Sequence, residues 1–162
     1  MFTFTHATLK DLPAILAIER SSFKNPWSEG NLTSELVDSL SSTIIAKFSS
    51  NLYSCGYICY KIIPPEAELL RIAARSECRR QGIAQALLDE MFRLLQLREV
   101  TTVYLEVSET NRSAITLYEK SGFSVTGSRS RYYDHGTTAA LLLQRQLSLK
   151  VDAFGKSYRM TK

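Results

Sequence analysis

Four places in this chain carry residues able to do chemistry. The first is "RRQGIAQALL", residues 79 to 88, where two arginines and a glutamine stand beside one glycine and an apolar segment follows at once. A helix starting there offers unpaired N–H groups and the positive end of its dipole to an anion. Gly82 lets a ligand approach the backbone without a Cβ in the way, and Ala84 keeps the same side small. These features read as a cradle for a pyrophosphate at a strand end; the alternative is a pair of solvated arginines. Neither the Walker spacing nor G-x-G-x-x-G is present, so the loop is not of either nucleotide-binding kind.

The second place is Glu106 in "VYLEV". Strands disfavour glutamate, and alternation with Val103, Leu105 and Val107 turns it away from their face. On this pattern alone it is a solvent-facing strand residue that carries a carboxylate. Tyr118, twelve residues on, either packs in a core or returns its phenol toward the strand end. Glu68 opens "ELLRIA" on the side of Leu70 and Ile72 and is a second strand carboxylate. Cys78, beside the glycine loop, raises a covalent, ping-pong route as a further possibility.

The elements that must position these groups follow from periodicity. "FTFTHAT" alternates as a first strand, and "LKDLPAILAIERSSF" carries Leu12, Ile15, Leu16 and Ile18 at helical spacing. "NPW" breaks that helix, and Ser28 caps a second one bearing Leu32, Leu36 and Val37 on one side. "STIIAKFS" and "LYSCGYICYKII" are β-branched and aromatic runs, and "EAELLRIAAR" follows the punctuating "PP" at 64 and 65. Ile83, Leu87, Met91, Leu94 and Leu95 make a helical stripe. "VTTVYLEV" is a strand, and "NRSAITLYEKSG" is a helix capped by Asn111 and ended by Gly122. "FSVTGSRSRYY" and "TTAALLLQRQL" close the body around "DHG". The order β-α-α-β-β-β-α-β-α-β-β predicts an α/β or α+β sheet covered by helices.

With 162 residues, 44% hydrophobic and 22% charged, the chain reads as one globular domain over 1–148 and a basic tail over 149–162. The net charge of +4 resides in the last eighteen residues, since residues 1–144 hold fifteen basic and fifteen acidic side chains. That tail reads as a solvated terminus or as a weak contact with nucleic acid or the ribosome, and no direct nucleic-acid binding is expected of the body. No apolar run reaches the ~18 residues of a membrane span, and no basic-then-apolar leader opens the sequence. A cytoplasmic location without membrane partners is the default expectation. Cys55 and Cys59 are four apart on one strand, roughly 13 Å, too far for a disulfide. With only His6 and His135 besides, no metal-ligand spacing appears, and no metal is expected.

The strand "LLRIAAR" running into R-x-x-G-x-A resembles the acetyl-CoA signature of the GNAT N-acetyltransferase superfamily, with Arg79, Gly82 and Ala84 filling the pattern. "IERSSFKNPWSE" and "YLEVSETNRSAITLYEKSGF" resemble its RimI-type branch, whose members acetylate the N-terminal alanine of a ribosomal protein. The resemblance covers residues ~4 to 147, with three motifs in order.

The resemblance implies a mixed, mostly antiparallel sheet of about seven strands with helices on both faces and a splay between the fourth and fifth strands. It implies acetyl-CoA as co-substrate, its pantetheine along Ile72, Ala73 and Ala74. Its pyrophosphate would lie against Arg79, Arg80, Gln81, Gly82, Ile83, Ala84 and Gln85. Asn111 would reach the same ligand, which is compatible with capping because a cap needs only one side-chain oxygen. By the same resemblance Glu106 is the proton acceptor and Tyr118 the proton donor to the departing sulfur, with Glu68 on the fourth strand as the competing base. Trp27, Tyr132 and Tyr133 would line the acceptor entrance, and Glu29, Glu109 and Asp134 are carboxylates able to receive a basic peptide. On the residues alone, Trp27 is equally a hydrophobic staple before Ser28, and the tyrosine pair suits any hairpin. An α-amino group, with pKa near ~7.7 to 8.0, asks less of a base than lysine near ~10.4. The expectation is direct acetyl transfer to the N-terminal amine of a ribosomal protein. Its alternatives are a lysine or small-molecule acetyltransferase, or a non-catalytic module that binds CoA or docks on the ribosome.

Overall fold

β-Branched and aromatic residues make up half or more of four of the seven strands, and the apolar stripes that separate them fold as helices. The computed structural model describes residues 1–50, 53–133 and 137–148. Strands β1 (Phe2–His6), β2 (Ser41–Phe48), β3 (Ser54–Ile63), β4 (Glu66–Ala74), β5 (Thr102–Ser108), β6 (Ser124–Tyr133) and β7 (Thr138–Gln146) lie in the order β1-β2-β3-β4-β5-β7-β6. Helices are α1 (Leu12–Ser22), α2 (Glu29–Val37), α3 (Ile83–Gln96) and α4 (Arg112–Lys120). Two 3-10 turns that periodicity did not reveal, Leu9–Asp11 and Ser76–Cys78, precede α1 and the glycine loop. The pairs β1–β2, β2–β3, β5–β7 and β6–β7 are antiparallel, whereas β4–β5 is parallel. The parallel register runs from the first residue of each strand, Glu66–Leu69 against Thr102–Leu105.

The chain packs as two compact units, Met1–Lys61 with Leu70–Met91, and Ile62–Leu69 with Phe92–Lys162. In the first, Ile15, Ile18, Leu32, Ile45, Tyr57, Cys59 and Ala73 form a buried cluster, with Trp27 and Leu36 packed against it. Val37 departs from the apolar side expected of α2: it is 64% exposed, because that side already ends at the strand exit. On α3, Ile83, Leu87, Leu88 and Met91 are all buried, each contributing about 1.5–3 kcal/mol of apolar burial. In the second unit Val103, Leu105 and Val107 of β5 are buried and Glu106 is half-buried, as their alternation requires. Among the described residues no helix is long and apolar enough to cross a membrane, and Cys55, Cys59 and Cys78 are free thiols. The basic tail from residue 149 and the "DHG" turn, with Asp134 and His135, lie outside the described residues.

Candidate active site

The first unit carries the glycine loop and the end of β4. Gly82 has φ +78°, and a Cβ built there would meet nothing within 4 Å: the backbone is turned left-handed beside open space, which glycine does at least cost. Arg80 shares the left-handed region at φ 60° and is exposed. The amide of Ala86 bonds to the Gly82 carbonyl at 2.9 Å, so Ile83, Ala84 and Gln85 make up the first turn of the helix. Arg79 Nε donates to the Ala74 carbonyl at 3.2 Å, and Gln81 Nε2 donates to the Glu77 carbonyl at 3.2 Å. These bonds shape the loop, and Arg79 keeps its two terminal guanidinium nitrogens beyond the Nε bond, so it stands with Arg80 and Gln81 as a candidate anion contact. Gln85 also bonds Asp89 at 2.9 Å along the helix.

β4 reaches this loop only because β3 comes very close to it. A Cβ at Gly56 would stand 2.6 Å from the Ala73 carbonyl oxygen and 3.1 Å from Ile83. The amide of Arg75 bonds the Cys55 carbonyl at 2.8 Å, and Ser22 Oγ donates to the Ala74 carbonyl at 3.3 Å. Ala73 is buried, whereas Ile72 and Ala74 are half-buried.

The second unit carries the proton-transfer candidates. Glu106 on β5 forms an ion pair with Arg129 on β6, Oε1 to Nη1 3.1 Å, with 22% of the glutamate side chain exposed. Register explains the reach: Glu106 faces Leu142 and Arg129 faces Ala140 on the intervening β7. The arginine therefore crosses diagonally past a side chain no larger than a methyl group. The β6–β7 register is irregular between Arg129 and Tyr133, the kind of break that re-aims strand side chains. Tyr132 uses it to hydrogen-bond Glu106, whose charge, ahead of burial, raises the phenol above its ordinary range; Arg129 opposes this and Glu68 adds to it. Glu68 itself is exposed and pairs in register with Tyr104. Tyr133, which closes β6, pairs in register with Thr138.

Helix α4 holds the other two candidates. Asn111 caps it, Oδ1 accepting from the Ala114 amide at 3.2 Å, which leaves its amide nitrogen for another role. At the far end the amide of Gly122 bonds Glu119 and that of Phe123 bonds Tyr118, both at 3.0 Å. This double closure turns Phe123 back so that its ring meets Tyr118 edge-on at 5.7 Å. Tyr118 is thus fixed and 93% buried, being 7% exposed: the core-packing role is present in the fold, and the buried ring is held by a helix end rather than by a loop.

Trp27 belongs to a network that sequence reasoning missed. Glu19 on α1 is fully buried and accepts from Arg71 Nε at 3.1 Å, Arg71 Nη2 at 3.2 Å, the Trp27 amide at 2.7 Å and the Tyr57 hydroxyl. Burial, then the Glu19 charge, push the Tyr57 phenol far up. Four donors are what a buried carboxylate requires. The staple reading of Trp27 also stands, since Ser28 and Asn31 form a reciprocal capping box and Leu32 is buried. Arg129 was likewise missed; both arginines lie in strands whose bands looked unremarkable, and only their long-range partners give them meaning.

The acetyltransferase (GNAT) family model matches residues 12–123, and this chain belongs to that family. It is 30% identical over 151 residues to the [ribosomal protein bS18]-alanine N-acetyltransferase of Escherichia coli K12, covering 92% of this chain and all of that protein. The crystal structure of the ribosomal-protein-S18-alanine N-acetyltransferase from Escherichia coli superposes with a TM-score of 0.86 over 94% of this chain and 98% of that one, at 30% identity. PaiA N-acetyltransferase from Thermoplasma acidophilum, solved in complex with coenzyme A, shares the fold with a TM-score of 0.76 at 21% identity, over 91% and 99% of the two chains.

Proposed function

We propose that this chain transfers acetyl from acetyl-CoA to the α-amino group of the N-terminal alanine of ribosomal protein bS18. The likeness to the bS18-alanine N-acetyltransferases along their whole length carries this reading. Acetyl-CoA supplies an activated thioester: an N–C bond forms to the acetyl carbon and the C–S bond breaks.

The chain's residues fit that ligand where the backbone turns at Gly82 beside open space and the first turn of α3 begins. In this reading the amides of that turn bind the diphosphate together with Arg79, Arg80 and Gln81, and Ile72, Ala73 and Ala74 present backbone to the pantetheine. Glu106 accepts the proton that must leave the α-ammonium, and Tyr118 supplies one to the departing thiolate. Arg129 and Tyr132 hold Glu106 oriented until an ammonium arrives to compete for the same oxygens. Trp27 and Tyr132 serve the acceptor side, an apolar ring being suited to an alanine methyl group; the side chain of Tyr133 lies outside the described ones.

The deciding experiment offers acetyl-CoA and two synthetic peptides with the first residues of bS18 from the same organism, one with a free and one with a blocked α-amine. Mass spectrometry should find acetyl on the α-nitrogen of the free peptide alone. Acetylation of lysine side chains in both peptides, or of neither peptide, would sink the proposal.

A further inference from the structure

Resting on the reading that the segment before α2 faces the acceptor, we propose that Arg71 and Glu19 are positioning residues that hold this segment, and with it the Trp27 ring, in a capture-ready form. The segment between α1 and α2, residues 23–28, has no strand or helix of its own. It is nonetheless tied to one ion pair at four points. The Arg71 guanidinium lies 3.9 Å from the Phe23 ring centroid and 5.0 Å from that of Trp27. Its Nη2 donates to the Asn25 carbonyl at 2.9 Å, and Glu19 accepts the Trp27 amide at 2.7 Å.

Only a planar guanidinium can bond a carboxylate through two nitrogens, bond a carbonyl and stack on aromatic rings together; lysine has one nitrogen and no plane. Arg71 also sits on β4 directly before Ile72 and Ala73, so the acceptor segment is referred to the strand assigned to the pantetheine. An ordinary core would bury apolar side chains here. A fully buried carboxylate is kept instead; one of its four donors is this segment's backbone amide, and two belong to the arginine that holds the rest of the segment.

The test compares the full-length wild type with Arg71→Lys, Glu19→Gln and Trp27→Ala. Trp27 is the single tryptophan, so its emission reports this segment alone. Arg71→Lys should raise the peptide KM roughly tenfold while kcat and the acetyl-CoA KM stay within about twofold, the pattern of lost acceptor binding. Acrylamide should then quench Trp27 more readily. Glu19→Gln, which keeps its size and an acceptor oxygen, should move both readouts the same way by less. Adding Arg71→Lys to Trp27→Ala should change the peptide KM no further. A wild-type peptide KM in Arg71→Lys alongside an impaired Trp27→Ala overturns the positioning role and leaves the acceptor reading intact. Unchanged peptide KM in Trp27→Ala overturns the acceptor reading beneath it. A fall in kcat with both KM values raised, or a failure of Arg71→Lys and Glu19→Gln to fold, assigns the pair to stability alone and overturns the proposal.

Discussion

Glu106 and Arg129 meet at 3.1 Å although a whole strand, β7, lies between theirs. The pair joins a carboxylate on β5 to a hairpin arm that also delivers Tyr132 to the same carboxylate. The proposed proton acceptor and the proposed acceptor-side wall are therefore joined by hydrogen bonds, and the behaviour of Tyr132 is their gauge. Replacing Glu106 by Gln removes the largest cause of the raised phenol and should lower the Tyr132 titration. Replacing Arg129 by Met removes the opposing charge and should raise it. Carbon-13 labelling of tyrosine ring carbons with an NMR pH titration measures both; shifts of equal sign would contradict the arrangement.

The catalytic assignment makes a rate prediction. Glu106→Gln and Tyr118→Phe should each reduce kcat/KM by roughly 10²–10⁴, the range for losing one acid or base. Glu68→Gln, altering an exposed side chain, should stay within about threefold of wild type on the same scale. Steady-state assays with the bS18 peptide decide it, and an impaired Glu68→Gln beside an active Glu106→Gln would reverse the roles.

The approach of β3 to β4 predicts a structural effect of one methyl group. In Gly56→Ala the new Cβ would stand 2.6 Å from the Ala73 carbonyl oxygen, a backbone atom that cannot swing aside. Overpacking of this kind costs about 1–3 kcal/mol, equivalent to a Tm fall of roughly 2–12 °C at this chain length. Differential scanning calorimetry gives the first readout. Because the displaced strand is the one assigned to the pantetheine, the acetyl-CoA KM should rise with it.

The thiols should be silent in the folded protein. Burial, ahead of its neighbours, pushes the Cys59 thiol up to about 11 from 9.0, so at pH 8 iodoacetamide should label it only after unfolding. The sign for stability follows: the folded chain holds this proton more tightly than the unfolded one. The Cys59 contribution is therefore complete below pH 9 and is lost as pH rises toward about 11. A denaturation series across pH 8 to 11 should show falling stability, and Cys59→Ser should flatten it. Cys78→Ala should retain activity, since direct transfer needs no thiol nucleophile.

Local order in this protein was legible without coordinates. Periods of 3.6 and 2 identified eleven elements in order, and short-range chemistry identified their ends: Ser28 and Asn111 cap helices, and Gly122 closes one. The glycine loop was legible too, because its function depends on residues adjacent in the chain. Arg79 shows the edge of that kind of reading: its place in the motif was apparent, while its bond to Ala74 depends on how the chain doubles back.

Tertiary structure alone decided the partners. Glu19 and Arg71 are 52 residues apart and Glu106 and Arg129 are 23 apart, and no periodicity links charges across such distances. A buried carboxylate looks in sequence like any polar residue on a helix, because its meaning comes from the donors that burial forces around it. Side-chain type and spacing settle which elements form; which charges meet is settled by strand order and register, where a shift of one residue would send Arg71, Glu106 or Arg129 to the opposite face.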